Sequence, residues 1–99
     1  MEDIIKFGQL YDFYGELLTE HQKEVYEDLV YNDLSISEIA ESYGISRQGA
    51  HDLVKRINNI LCNYESKLGL VKRFENIKKQ IRNMDNLTDT EKEQLLGQL

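Results

Sequence analysis

Proline and tryptophan are absent from this 99-residue chain, and cysteine occurs once. Without proline no ring closure interrupts a helix, and scarce β-branched runs leave Leu, Glu, Lys and Gln to dominate, so an all-α fold is expected. A single cysteine, Cys62, makes no internal disulfide, which suits a reducing cytoplasm. No apolar run approaches the roughly 20 residues that span a bilayer. The N-terminus lacks a basic-then-apolar leader. A cytoplasmic protein with no membrane partner is therefore expected.

Positive charge is also scarce. Twelve Lys and Arg stand against eighteen Asp and Glu, a net charge of −6, and such a balance repels nucleic-acid phosphate. The distribution alters that reading. Residues 1–43 hold 2 basic and 11 acidic side chains, residues 44–83 hold 9 and 3, and residues 84–99 hold 1 and 4. Only the middle segment is cationic, so a basic face on an acidic protein is compatible with the composition.

That cationic segment begins inside the most informative stretch, Ser35 to Arg56. Ser35 with Glu38 forms a capping box, and Ile36, Ile39, Ala40 and Tyr43 then fall on one helical face. Gly44 stops that helix and turns the chain, Ile45 is expected to plug the corner, and Ser46 caps a second helix with Ala50, Leu53, Val54 and Ile57 on its apolar side. A small residue at Ala40 with glycine four positions later is the spacing of a helix-turn-helix. On the outer face of its second helix, Ser46, Arg47, Gln48, His51, Lys55 and Arg56 stand where such helices meet nucleic acid. Asp52 on the same surface is unfavourable near phosphate unless it contacts cytosine or pairs with Lys55 or Arg56.

The rest of the chain frames this pair. Residues 1–18 read as an amphipathic packing helix with Ile4, Phe7, Tyr11, Tyr14 and Leu18 along a heptad seam, and Leu10, Phe13 and Leu17 broaden its stripe toward a second copy. Thr19 and Gln22 open a helix to about Tyr31. The second motif helix continues to Gly69, and its far half is expected to rest on the N-terminal helix. Beyond Gly69, Leu70, Phe74, Ile77, Ile81 and Met84 form one apolar stripe while Lys72, Arg73, Lys78, Lys79 and Arg82 make the remainder cationic. Those cations suit phosphate or simply keep a helix soluble. Thr88 with Glu91 caps a last short helix. One helical domain is expected, with residues 19–57 as its helix-turn-helix core and residues 58–99 as a C-terminal extension. A homodimer is expected to pair through Ile4, Phe7, Tyr11, Tyr14, Phe74, Ile77 and Ile81.

Catalysis finds little support. No glycine-rich phosphate loop follows a strand, no nucleophile has a base in view, and the carboxylates are scattered along helix surfaces. His21 and His51 lack partners at metal-ligand spacing, so no metal is expected, nor a cofactor or small-molecule substrate.

The segments LYDFYGELLTEHQ (Leu10 to Gln22), DLSISEIAESYGISRQGAHDLVKR (Asp33 to Arg56) and NYESKLGL (Asn63 to Leu70) resemble the YlxM family of bacterial helix-turn-helix proteins. That family is similar in fold to region 4 of sigma factors. The resemblance implies an all-α, dimeric, non-enzymatic protein. It also implies a regulatory or accessory role in the signal recognition particle pathway; taken with the outer face of the second motif helix, duplex DNA or the particle's RNA is the expected partner. Ser46, Arg47 and Gln48 match the family's SRQ, and Asp52, Lys55 and Arg56 match its D-x-x-K-R. Ala50 and His51 stand where valine and tyrosine are usual, so no base preference carries over. The rival reading is a dimeric adaptor that does not bind DNA and grips a protein such as the particle's GTPase.

Overall fold

The computed structural model describes residues 4–99. The first three residues of the expected N-terminal helix, and the side chain of Ile4 named for the dimer seam, lie outside the described residues. Six α-helices follow in order: α1 (Ile4–Tyr14), α2 (Glu20–Val30), α3 (Ile36–Tyr43), α4 (Arg47–Leu68), α5 (Leu70–Arg82) and α6 (Asp89–Leu96). A short 3-10 turn covers Gly15–Leu17, and no strand occurs among the described residues. The fold is all-α. It divides after Leu68 into two compact units, the first built on α1 to α4 and the second on α5 and α6. The division falls at Gly69, where a left-handed glycine, φ 62°, ends the uninterrupted apolar stripe of α4.

Local chemistry sets the helix starts. The Thr19 hydroxyl accepts from the Gln22 amide at 3.2 Å while the Gln22 side chain accepts from the Thr19 amide at 3.0 Å. Ser35 with Glu38 and Thr88 with Glu91 repeat this reciprocal pair. All three capping boxes read from the sequence form, each satisfying amides that a helix start otherwise leaves orphaned.

Gly44 ends α3 at φ 66°, and the Ile45 amide then reaches back to the Ala40 carbonyl at 3.0 Å. This left-handed cap is what reverses the chain between α3 and α4. Ile45 itself departs from expectation. It remains 39% exposed and does not plug the corner.

The first helix is shorter than its periodicity suggests. It ends at Tyr14, tightens through Gly15–Leu17, and leaves Leu18 extended at ψ 159°. At Gly15 a Cβ would lie 2.9 Å from the Tyr11 ring, so a larger residue there would push that ring aside. The tightening still buries Leu18, 6% exposed, and delivers Thr19 to its cap.

The core of this unit converges on α4, which packs against α1, α2 and α3. Ala50, Val54, Ile57 and Leu61 are its buried stripe, met by Leu10 and Tyr14 of α1, Val25, Tyr26 and Leu29 of α2, and Ile39 and Ala40 of α3. Burial contributes roughly 1.5–3 kcal/mol for each large aliphatic side chain. The far half of α4 does rest on the N-terminal helix. The Tyr14 ring stacks on Tyr64 at 5.9 Å and its hydroxyl donates to Glu65 at 2.5 Å.

Tyr14 is one of the residues expected on a dimer seam. At 1% exposed it is enclosed within its own chain, because a heptad seam does not tell a neighbouring helix of the same copy from a second copy. Phe7 and Tyr11 are half-buried, whereas Ile5, Phe13 and Leu17 stay exposed.

In the second unit, α5 and α6 pack together, and Lys92 Nζ donates to the Arg82 carbonyl at 3.0 Å, holding the last turn of α5. Ile81, also named for the dimer, is only 8% exposed in one copy, whereas Ile77 is 41% exposed and Phe74 half-buried.

Three further tyrosines tie helices together through their hydroxyls. Tyr26 donates to Asn58 at 2.5 Å, Tyr43 to Asp28 at 2.7 Å and Tyr31 to Asp12 at 3.0 Å. Burial, with the nearby Glu27 charge, pushes Tyr11 up to about 12; burial and the Asp28 hydrogen bond push Tyr43 to about 12. Burial raises Tyr26 as well.

Two outcomes are expected. Gly44→Ala destabilises by about 1 kcal/mol from the left-handed conformation alone, since nothing lies within 4 Å of an added Cβ. Gly44→Asn recovers part of that loss in urea unfolding. The raised tyrosines favour the neutral phenols of the folded state. Their stabilisation is thus present below the unfolded value near 10 and is lost as pH climbs toward about 12. The urea midpoint followed by circular dichroism should fall across that window, and Tyr43→Phe should flatten the fall.

Candidate nucleic-acid interface

The start of α4 is held from both sides. Ser46 Oγ accepts from the Gly49 amide at 2.9 Å, and the Ser46 carbonyl takes the Ala50 amide at 2.9 Å. Ser46 is thus the helix cap, with a hydroxyl proton still able to donate outward. Gly49 is shaped by this cap, since a Cβ there would sit 3.1 Å from Ser46 Oγ. Ala50 is fully buried, so the small side chain at this position is seated in the core.

Burial of Ala50, Val54, Ile57 and Leu61 turns the opposite surface of α4 outward. Gln48, His51, Asp52 and Lys55 are spaced i, i+3, i+4 and i+7, which places them on that one outer face. All four are exposed, as are Arg47 at the first turn and Arg56 at the flank. Of the expected interface residues of the motif, Arg47, Gln48, His51, Lys55 and Arg56 are thus exposed along the first three turns, with Ser46 exposed at their start. None of Arg47, Lys55 and Arg56 forms an ion pair among the described residues. Their charges face solvent.

Asp52 finds its hydrogen-bond partner on its own helix. Its Oδ1 accepts from Gln48 Nε2 at 3.0 Å and lies 3.6 Å from His51 Nδ1. It pairs with neither Lys55 nor Arg56. The i, i+4 spacing of Gln48 and Asp52 was the available signal for this bond. A second feature escaped the sequence reading. Ile36, assigned to the inner face of α3, lines an open concavity together with Arg47, Gln48 and His51.

In the other unit, Lys72, Arg73, Lys79 and Arg82 are exposed, and Lys78 is half-buried with Glu75 at 4.0 Å. Lys72 and Lys79, seven residues apart, share a face, while Arg73 and Arg82 stand to either side of it. The cations wrap α5 more broadly than a single stripe.

Among the described residues no group of three or more His, Cys, Asp or Glu is arranged to hold a metal ion, and no helix is long and apolar enough to cross a membrane. His21 packs edge-on against Tyr43 at 5.6 Å.

The sequence model of UPF0122, described as "Putative helix-turn-helix protein, YlxM / p13 like", matches residues 1–98. The chain belongs to that family. A UPF0122 protein of Desulforamulus reducens is 45% identical over 89 residues, covering 90% of this chain and 76% of that protein. One from Caldanaerobacter subterraneus is 48% identical over 80 residues, covering 81% and 68%. One from Malacoplasma penetrans is 42% identical over 99 aligned residues, covering 94% and 92%. The UPF0122 description is that of a helix-turn-helix family and not of an enzyme family.

Proposed function

We propose that this chain is a non-enzymatic nucleic-acid-binding regulator that contacts its target through the exposed face of α4. The observation that carries the reading is the first three turns of that helix: the core grips one side, while Arg47, Gln48, His51, Lys55 and Arg56 stand together on the other. Arg47 and Gln48 chemically suit base edges, and Lys55 and Arg56 suit phosphate. The cations of α5, Lys72, Arg73, Lys78, Lys79 and Arg82, would add phosphate contacts. Their spread around the helix favours backbone attraction over base reading. An acidic remainder limits non-specific adhesion and orients approach.

The finer reading is an accessory or regulatory role for the signal recognition particle in the cytoplasm, and it rests on the family resemblance. The rival is an adaptor for a protein partner such as the particle's GTPase. The acidic first 43 residues favour that rival.

Fluorescence anisotropy decides between them. Titrating labelled particle RNA and a mixed-sequence duplex DNA over a range of salt should give steep, salt-dependent binding to one. Arg47→Ala with Lys55→Ala should weaken it by roughly tenfold or more and reduce the salt slope by about 1. Binding that survives the double substitution removes α4 as the interface. No binding to either nucleic acid at low salt favours the adaptor.

A homodimer is the second part of this proposal. With Tyr14 and Ile81 enclosed in one copy, pairing would fall on Phe7, Tyr11, Phe74 and Ile77. Light scattering at micromolar concentration should then return twice the 11.6 kDa chain mass. A monomer mass removes the pairing.

A further inference from the structure

A carboxylate on a phosphate-facing surface needs a reason, and Asp52 sits at the centre of the outer face of α4. It meets Gln48 Nε2 at 3.0 Å and His51 Nδ1 at 3.6 Å through the same oxygen. From this arrangement we infer that Asp52 is a positioning residue that makes Gln48 a reader of adenine in the major groove of duplex DNA. The inference rests on the nucleic-acid reading of α4 given above.

An ionised carboxylate only accepts hydrogen bonds, so the Gln48 amide must turn its nitrogen toward Asp52 and its oxygen away. Without that constraint the amide is free to turn over, presenting donor and acceptor in either order. One N–H is satisfied by Asp52. With Asp52 on the N–H trans to Oε1, the remaining N–H lies beside Oε1, and the two form an adjacent donor and acceptor on the open edge of the amide. Adenine presents the complementary pair, the N7 acceptor and the N6 amino donor. Guanine presents two acceptors in the same places, and one of them would oppose Oε1. Ile36 lines the concavity beside Gln48 and offers an apolar surface of the kind that meets the methyl group of the paired thymine.

The same geometry moderates the repulsion of Asp52. Its Oδ1 holds the Gln48 amide with the imidazole 3.6 Å away, and Lys55, one turn on, and Arg47 leave positive charge on both sides of it along the helix. Duplex DNA is favoured over RNA because the major groove of B-form DNA admits a helix, whereas that of A-form RNA is too deep and narrow for side chains to read.

The bland account is a surface bond between side chains one turn apart, worth a few tenths of a kcal/mol to the helix and nothing to recognition. Base preference separates the two. The full chain is used to select sites from a randomised duplex DNA pool, and anisotropy then compares an enriched duplex with the same duplex carrying one A·T to G·C change.

The wild type should discriminate by roughly tenfold at one adenine. Gln48→Ala should abolish that discrimination. Asp52→Asn, whose carboxamide both donates and accepts, should reduce it to about twofold or less while affinity for unselected duplex rises, because one negative charge is gone. Asp52→Glu keeps an acceptor-only partner one turn away and should retain most of the preference. Thermal melting of each variant guards against a folding defect, and Asp52→Glu carries the test if Asp52→Asn unfolds.

Full discrimination by Asp52→Asn, or a site with no adenine that depends on Gln48, overturns the inference and leaves DNA binding standing. Wild type that binds only RNA, or neither nucleic acid, overturns this inference; the second result also removes the nucleic-acid reading beneath it.

Discussion

The buried stripe of α4 is the constraint on which the first unit depends. Ala50, Val54, Ile57 and Leu61 step four, three and four along a single 22-residue helix, and each is at most 2% exposed. That one stripe serves two purposes along its length. Its first turns, against α3, orient the residues that face outward from the helix-turn-helix. Its later turns lie against α1, where Tyr14 stacks on Tyr64 and reaches Glu65. Helical order in a folded protein comes mostly from packing of an amphipathic face and less from propensity, and this stripe supplies that packing. The N-terminal helix is in this sense part of the motif's support.

Tyrosine makes that support directional. Tyr14 and Tyr26 bury their rings almost completely, yet each hydroxyl finds an acceptor across the helix interface, Glu65 and Asn58 respectively. Tyr43 does the same for α3 through Asp28 of α2. A leucine core of the same area would tolerate sliding of one helix past another. A phenol that must meet one acceptor sets the register as well as the spacing. Burial first, and then the Asp28 hydrogen bond, raises the Tyr43 phenol to about 12 in this arrangement.

The charge pattern follows the same division of labour. Carboxylates crowd the first 43 residues, and the outward cations of α4 begin only after the turn at Gly44. The exception, Asp52, is tied to Gln48 and His51 and belongs to the geometry of the outer face. An overall charge of −6 is thus a poor guide to the local potential at the start of α4, since fields near a surface weight the nearest charges most heavily within a Debye length.

Much of this was determined by the sequence alone. Capping boxes at Thr19, Ser35 and Thr88, the turn at Gly44 and the break at Gly69 are local events, decided within a few residues by hydrogen bonds and left-handed backbone, and each formed where the pattern put it. The outer face of α4 was equally legible, because helical periodicity sorts inward from outward without reference to any neighbour. Tertiary structure decided the rest. Which copy covers Tyr14, why α1 tightens at Gly15 beside the Tyr11 ring, how far Ile45 stays exposed and that Ile36 lines the concavity at Arg47 all depend on elements distant in the chain or on side-chain rotamers. Apolar spacing states that a face will be covered but not by what, and a charged residue's partner is chosen by geometry among several that electrostatics alone would accept.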